Sequence, residues 1–348
     1  MHVGKSEKLK VVILTRADHS SPRVLAESLQ HQLREAGVEC ETIFGLDMLN
    51  RLVSLKESKF RLHYWLKRKA ANWFKDQKIF RALKKADAVV ISECIPNAFW
   101  KRLYNIEKLK NILLSPVYVY EVYALANAPT QVSTLTKNND PLHERYDGHL
   151  FISPVTEIRD PHLSNGFCIG IQAKIWNLRP LPKKELIALV DFVQPGFEAY
   201  RQMQMDALHK AGIPFISLER RYTLDEIREV YRQVSIYFMQ SYEAFGIPLL
   251  ECLCTGAQVF TPDSGWPMSW RLDEVPQVHG KGELPGCFTV YDGEEDLLQK
   301  LELFKKNFDL VETPLRVFDE CKKNYPAFYE GDRGELDKWL GAVKKKAV

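Results

Sequence analysis

Two acidic side chains, Glu243 and Glu251, lie eight residues apart in a stretch of sequence that is otherwise almost entirely apolar. Gly246 and Pro248 place the start of a helix near Ile247, because proline suits the first helical turn, where a backbone N–H is not needed. Glu243 then belongs to the loop before the helix, and Glu251 to the first helical turn. The two carboxylates are therefore held by different elements.

Glu251 has leucine and cysteine neighbours, so we expect its carboxylate to be largely buried. An unpaired buried charge is very costly, and such a group raises its pKa or finds a partner. A ligand with two hydroxyls, such as a ribose, would be one partner; a first-turn acid favoured by the helix dipole is the structural alternative. The N–H groups near Gly246 and Ile247 point out of the helix start, where a phosphate binds naturally, and Gly246 has no side chain to block it.

Alternating strands and helices must position these residues. Short apolar, β-branched runs predict strands in the first half at residues 10–15, 38–44, 88–92, 111–115 and 150–153. A second series predicts strands at 186–191, 214–218, 235–239 and 257–261, with helices after residue 197, at 224–233 and from Pro248. A proline-containing stretch at 177–184 separates the two series. The alternation predicts an α/β protein with doubly wound parallel sheets.

Composition excludes several classes of protein. A chain of 348 residues is long enough for two ordinary domains, and a formal net charge of +3 is too small to indicate a nucleic-acid-binding protein. The absence of any uninterrupted apolar run of about 18 residues excludes a membrane span, so we expect a cytoplasmic protein. The seven cysteines are scattered without CxxC spacing, which supports neither a disulfide framework nor a zinc site.

Residues 55–86 combine many lysines and arginines with several aromatic residues and very few acids. Two interpretations stay open. The segment is either an amphipathic core helix with a solvated basic face, or a peripheral contact with the anionic inner face of a membrane. Nothing else in the chain supports nucleic-acid binding.

The stretch from Glu243 to Glu251, followed by Gly256 and the predicted strand at 257–261, resembles the E-x7-E motif of retaining glycosyltransferases with the GT-B fold, most closely family four. Residues 224–241 resemble the helix and strand that lead into this motif. The resemblance implies two Rossmann-like domains facing a cleft. Residues 1–177 would form the acceptor domain, residues 178–325 the nucleotide-sugar donor domain, and residues 326–348 a C-terminal helix that packs back on the first domain.

The resemblance implies a UDP- or GDP-sugar as donor, a glycan or lipid-linked acceptor, and no separate cofactor. Glu251 would bind the ribose hydroxyls, Glu243 would contact the donor sugar, and the backbone of Phe245, Gly246 and Ile247 would receive the pyrophosphate. We expect no metal, because the sequence has no Asp-x-Asp triplet of the metal-holding type.

The family's basic pair after the first strand of the second domain has no direct counterpart here, and Arg201 and Arg220 are the nearest substitutes. By the same resemblance, the backbone around Glu219 to Tyr222 would frame the base. Asp18 and His19 are candidates for an acceptor ligand or catalytic base, with helix capping as the alternative reading of Asp18. Three other functions stay open: an inactive GT-B scaffold or carbohydrate-binding protein, a nucleotide-sugar epimerase on the same fold, and, less favoured without a Gly-x-Gly-x-x-Gly motif, a dinucleotide-dependent oxidoreductase.

Overall fold

The structure is a computed structural model. It describes residues 8–15, 21–44, 79–92, 114–121, 146–153, 166–193, 195–220, 222–243, 245–272 and 282–347. Asp18, His19 and residues 55–78 of the basic aromatic segment lie outside the described residues. The predictions made for them therefore stay predictions.

The first half of the chain forms a six-stranded parallel sheet with strand order β2-β1-β3-β4-β5-β6. Its strands are β1 (Lys10–Thr15), β2 (Glu39–Phe44), β3 (Ala88–Ser92), β4 (Val117–Glu121), β5 (Tyr146–Phe151) and β6 (Gly166–Cys168). Helix α1 (Ser21–Glu35) connects β1 to β2. Every residue of β3 is buried, which explains its uninterrupted apolar sequence, because an inner strand of a parallel sheet is covered on both faces.

The second half forms a five-stranded parallel sheet with strand order β11-β10-β9-β7-β8. Its strands are β7 (Ala188–Val190), β8 (Phe215–Ser217), β9 (Ile236–Phe238), β10 (Gln258–Thr261) and β11 (Phe288–Val290). The helices that cover it are α2 (Glu198–Ala211), α3 (Leu224–Gln233), α4 (Ile247–Cys254) and α5 (Gly293–Asn307). Helices α2 and α5 pack on one face of this sheet, whereas α4, with α3 beside it, packs on the other.

The chain ends in α6 (Glu312–Asn324), α7 (Pro326–Tyr329) and α8 (Arg333–Ala347). Trp339 of α8 is fully buried and packs edge to face on Tyr118 of β4, with ring centroids 5.4 Å apart. The last helix also packs against β6. These contacts confirm that the C-terminal helix returns to the N-terminal sheet.

One predicted strand is displaced. Of the strand predicted at 111–115, only residues 114 and 115 are described; neither lies in a strand, Leu114 is 76% exposed, and β4 begins after Pro116. Val117 and Val119 face one core and Tyr118 and Tyr120 the other, so the alternating aromatic sequence, and not the leucine pair, fills this inner position. Strands β6 and β11 have only three residues each and were not predicted.

The basic aromatic segment is described only from residue 79 onward. Residues 79–84 are helical, and the buried Leu83 and Ala86 pack in the same core as the β1 and β3 side chains. This end of the segment therefore has the amphipathic, core-facing arrangement. Across the described ranges, no helix combines the length and the apolar character that crossing a membrane requires.

Candidate functional site

Acidic residues follow three neighbouring strands at the carboxyl edge of the second sheet. Asp191 directly follows β7, Glu219 follows β8, and Glu243 follows β9. In open parallel sheets, ligands bind in the crevice outside this edge. The topology therefore places Glu243 at the edge of the sheet where ligands bind in folds of this type.

Gly246 adopts a backbone conformation that requires glycine. Its φ is +71°, and a Cβ there would lie 2.3 Å from Leu249 Cδ1 and 2.8 Å from Glu243 Cγ. The tight turn brings the Glu243 side chain against the first turn of α4. Among the described residues, no backbone or side-chain acceptor binds the N–H of Gly246 or Ile247, so both donors are available at the helix start.

Phe245 anchors this turn in the core. Its ring is fully buried, stacks on Trp270 at 5.4 Å and meets Phe328 edge to face at 4.9 Å. The Trp270 indole N–H donates to the Phe245 carbonyl oxygen at 2.5 Å. Ile247 is 7% exposed and is also a core residue. Both side chains therefore hold the turn in place, and the Phe245 carbonyl oxygen is already bonded inside the core.

Glu251 is 2% exposed and has a protein partner that sequence inspection missed, Arg228 of α3. Arg228 Nε donates to Glu251 Oε1 at 2.8 Å, and the second terminal nitrogen lies 2.7 Å from the same oxygen. The other oxygen, Oε2, accepts no hydrogen bond from the described residues. Burial raises the pKa of the Glu251 carboxyl, and the Arg228 guanidinium opposes that rise. The pair thus fixes one oxygen and leaves the other uncommitted.

Trp176 completes the surroundings of this ion pair. It belongs to a short 3-10 helix, Ala173–Trp176, in the segment between the two sheets, and the Arg228 guanidinium lies 5.3 Å from its ring centroid. A guanidinium at this distance from an indole is attracted by the negative face of the ring. Arg228 is therefore clamped between a carboxylate and an aromatic ring.

Glu243 and Asp191 are neighbouring acidic side chains at the same sheet edge. Burial raises the pKa of Glu243 to about 7, and the neighbouring Asp191 carboxylate contributes to the rise. Burial also raises the pKa of Asp191, although the Tyr237 hydroxyl and the Phe192 N–H both donate to it. Glu243 accepts no hydrogen bond from the described residues, so it can change protonation near neutral pH without breaking a described hydrogen bond.

Arg201 ties together the ends of β7 and β8. Its guanidinium donates to the Asp191 carbonyl oxygen at 3.2 Å, to Ser217 Oγ at 2.5 Å and to Glu219 Oε1 at 2.7 Å. A further hydrogen bond reaches the Leu218 carbonyl oxygen at 3.2 Å. The side chain is 12% exposed, so Arg201 braces the sheet edge at the place where the sequence predicted a donor ligand.

Arg220 and Tyr222 lie together at the start of α3. The Arg220 guanidinium lies 4.3 Å above the Tyr222 ring and also pairs with Glu226 at 3.2 Å. Its side chain is 62% exposed. The Phe192 ring packs against the Tyr222 ring, with centroids 6.4 Å apart. The structure thus brings a cationic and an aromatic group to the loop where the sequence predicted contacts with a base.

Arg228 could have been found from the sequence. It lies four residues after Leu224 and three before Tyr231, which places it on the apolar stripe of an amphipathic helix. A charged residue on such a stripe predicts a buried partner. No group of three or more histidine, cysteine or acidic side chains with metal-binding geometry occurs within the described ranges.

Comparison with known proteins identifies the fold. No protein-family model and no curated protein sequence matches the chain. An alpha-glucosyltransferase in complex with UDP and a 13-mer DNA containing a central A:G mismatch matches with a TM-score of 0.59 at 10% identity, over 97% of this chain and 99% of that chain. Anabaena Alr3699/HepE, in complex with UDP and glucose, matches with a TM-score of 0.51 at 10% identity, over 97% and 99% of the two chains. The chain has the GT-B fold.

Proposed function

We propose that this protein is a retaining glycosyltransferase that transfers a sugar from a UDP- or GDP-sugar to a hydroxyl of a glycan or lipid-linked acceptor, without a metal ion. One observation carries the proposal. Glu251, a buried residue of α4, presents a carboxylate oxygen that accepts no hydrogen bond from the described residues, and the first turn of α4 offers N–H groups without a described acceptor beside Glu243. Both solved structures compared above contain UDP on the same fold, which supports a nucleotide ligand.

The nucleotide would be held by groups whose geometry is already fixed. Glu251 Oε2 would accept hydrogen bonds from the ribose hydroxyls, because Arg228 occupies Oε1 and keeps the carboxylate in place. The N–H groups of Gly246 and Ile247 would bind the pyrophosphate at the positive end of the helix dipole. Tyr222 would face the base. Arg220 is the more exposed of the two candidate arginines and would neutralise phosphate charge more readily than Arg201.

The chemistry would depend on stabilising the departing diphosphate. N–H donors fixed at a helix start do not need to reorient as negative charge develops, so they favour the transition state over the ground state. Burial raises the pKa of Glu243 to about 7, and at neutral pH this carboxyl would contact the donor sugar and accept or share a proton there. Asp18 and His19 remain the candidates for contacts with the acceptor.

In this proposal the chain divides into an acceptor domain at residues 1–177, a donor domain at 178–325 and the returning helix at 326–348. The protein would act in the cytoplasm. Residues 55–78 would provide a peripheral contact with the inner face of a membrane if the acceptor is lipid-linked.

A second candidate function is favoured by Arg201. Its Nε and Nη2 donate to Asp191, Ser217, Leu218 and Glu219, so among the described contacts only Nη1 is left for a pyrophosphate. A GT-B protein that binds a nucleotide or carbohydrate without turnover would retain this arrangement. The two candidates differ in one property, the turnover of a bound donor.

The nucleotide site is tested first by calorimetric titration of the wild type with UDP, GDP, 2′-deoxy-UDP and 3′-deoxy-UDP. We expect one diphosphate to bind and the loss of a ribose hydroxyl to lower its affinity about 10- to 100-fold, as expected for a hydrogen bond to a charged group. In Glu251→Gln the penalty for the missing hydroxyl should shrink. Equal affinity of the wild type for UDP and its deoxy analogues would refute the ribose assignment.

Turnover is then measured by incubating the protein with UDP- and GDP-sugars, both alone and with a panel of glycan and lipid-linked hydroxyl acceptors, and following the anomeric signals by NMR. A glycoside product with the donor's anomeric configuration supports retaining transfer. Binding without turnover of any donor supports the binding-protein candidate, and an epimerised sugar released without acceptor would identify an epimerase.

A further inference from the structure

The ion pair between Arg228 and Glu251 has an off-centre geometry. Both Nε and Nη2 of Arg228 lie against the same oxygen, Glu251 Oε1, at 2.8 and 2.7 Å. An arginine and a carboxylate frequently pair fork to fork, with two parallel N–H groups that donate to both carboxylate oxygens. Here Glu251 Oε2 accepts no hydrogen bond from the described residues. A contact outside the ion pair is therefore needed to hold the guanidinium on one side of the carboxylate.

The indole ring of Trp176 provides such a contact. Arg228 Cζ lies 5.3 Å from the ring centroid, and Trp176 is buried. Only 11% of the Arg228 side chain is exposed, and the attraction between a guanidinium and an indole ring is stronger where water is excluded. Within the described part of the chain, Glu251 and the Trp176 ring are the two partners of this guanidinium. The ring therefore fixes the side of the carboxylate on which Arg228 lies.

The segment between the two sheets holds Trp176 in place. The residue before the short helix Ala173–Trp176 is Gln172, which is buried. The backbone N–H of Gln172 donates to Ser28 Oγ at 2.8 Å, and its side-chain nitrogen donates to Glu35 Oε2 at 2.7 Å. Both acceptors belong to α1, which packs on the first sheet. The first half of the chain therefore helps to set the position of the indole ring.

We propose that Trp176 is a positioning residue of the nucleotide site: its ring holds Arg228 against Glu251 Oε1 and thereby keeps Oε2 open for the ribose hydroxyls. Without the ring, the guanidinium would turn to donate to both carboxylate oxygens, and the ribose would have to compete with Arg228 for Oε2. The inference rests on the proposed function for the identity of the ligand. The position of Arg228 in the protein without ligand does not depend on that function.

The first test is calorimetric titration of the wild type, Trp176→Leu and Trp176→Phe with UDP, GDP and their 2′- and 3′-deoxy analogues. We expect Trp176→Leu to bind the intact diphosphate about fivefold more weakly or worse, the change expected from losing one cation–π contact. Its affinity for the deoxy analogues should change much less, so the penalty for a missing hydroxyl should shrink. A general loss of structure would instead weaken the intact and deoxy nucleotides alike.

Two variants serve as controls. Trp176→Phe keeps an aromatic face and breaks no hydrogen bond among the described residues, because Trp176 Nε1 has no partner there. It should therefore retain most of the wild-type penalty for a missing hydroxyl. Phe44→Leu is the matched control, since it removes another ring that faces an arginine, Arg23, at 5.8 Å in the first half of the chain. It should leave the affinities for all the nucleotides unchanged.

The second test needs no nucleotide. Crystal structures of the wild type and of Trp176→Leu, both without ligand, report which carboxylate oxygens Arg228 contacts. We expect an Arg228 nitrogen within hydrogen-bonding distance of Glu251 Oε2 in Trp176→Leu, and contacts with Oε1 alone in the wild type.

The two tests separate this inference from the proposed function. If Trp176→Leu keeps the wild-type penalty for the deoxy analogues, or if its Arg228 still contacts Oε1 alone, the inference is overturned. If the wild type binds none of the nucleotides, the proposed function fails, and the pair of crystal structures still decides whether Trp176 sets the position of Arg228. A shrunken penalty in Trp176→Leu, its recovery in Trp176→Phe and a shifted guanidinium together support the positioning role.

Discussion

Replacing Arg228 by methionine tests the structural account of the ion pair on α4. The change removes the cation and keeps a long side chain, which leaves Glu251 in a position where it is only 2% exposed. Breaking one side of a buried ion pair costs about 3–5 kcal/mol, because an uncompensated charge stays behind. We therefore expect Arg228→Met to lower the free energy of unfolding by about 3–5 kcal/mol at neutral pH.

The matched control is Arg333→Met on α8. Arg333 also pairs with a carboxylate, Asp337, at 2.9 Å, but both side chains are more than half exposed. An exposed pair of this spacing contributes about 0.3–0.5 kcal/mol. The two variants remove the same chemical group, so the difference between their free energies of unfolding measures the effect of burying the ion pair.

The assay is urea unfolding monitored by circular dichroism, together with hydrogen exchange of the α3 and α4 amides, because a chain with two sheets need not unfold in a single step. The double variant Arg228→Met, Glu251→Met removes both charges and should recover most of the lost stability, since a buried pair replaced by apolar residues is often neutral or stabilising. A loss for Arg228→Met no larger than that for Arg333→Met, or a double variant as unstable as the sum of its singles, would refute the reasoning.

Three other perturbations give defined outcomes. Folding raises the pKa of Glu243 from 4.5 to about 7, so the stabilisation from protonating this group is fully present below pH 4.5 and is lost as the pH rises through 7. The free energy of unfolding should therefore fall by up to about 3 kcal/mol between pH 4.5 and 8. Glu243→Gln should remove this decline when thermal melts at the two pH values are compared. Burial lowers the pKa of Lys183 to about 8, so the free energy of unfolding should rise by up to about 3 kcal/mol from pH 8 to 10.5. Lys183→Met, which removes the amine and its hydrogen bond to the Arg232 carbonyl oxygen at 2.8 Å, should flatten that rise in urea titrations. Gly246→Ala should destabilise the protein by about 1–3 kcal/mol because of its positive φ and weaken UDP binding in calorimetry, and retention of wild-type values in both would contradict the assigned turn.

Local sequence signals located most elements of the second sheet. Helix α3 begins and ends at the predicted residues, because Thr223 and Glu226 form a reciprocal capping box and the apolar stripe continues to the C-terminal end of the helix. Strand β4 was misplaced because the apolar run that ends near the exposed Leu114 and a buried strand have similar local composition. Only burial distinguishes them, and burial is a property of the folded chain.

The sequence alone determined the alternation of strands and helices, the glycine turn before α4 and the two glutamates on either side of it, because periodicity and backbone restrictions act over a few residues. Only the tertiary structure decided that Arg228, 23 residues before Glu251, donates to one oxygen of the Glu251 carboxylate and leaves the other without a described hydrogen bond. It also decided that Asp191 lies close enough to Glu243 to contribute to the raised pKa of that carboxyl. Strand order creates these contacts, and strand order is set by the packing of the whole sheet.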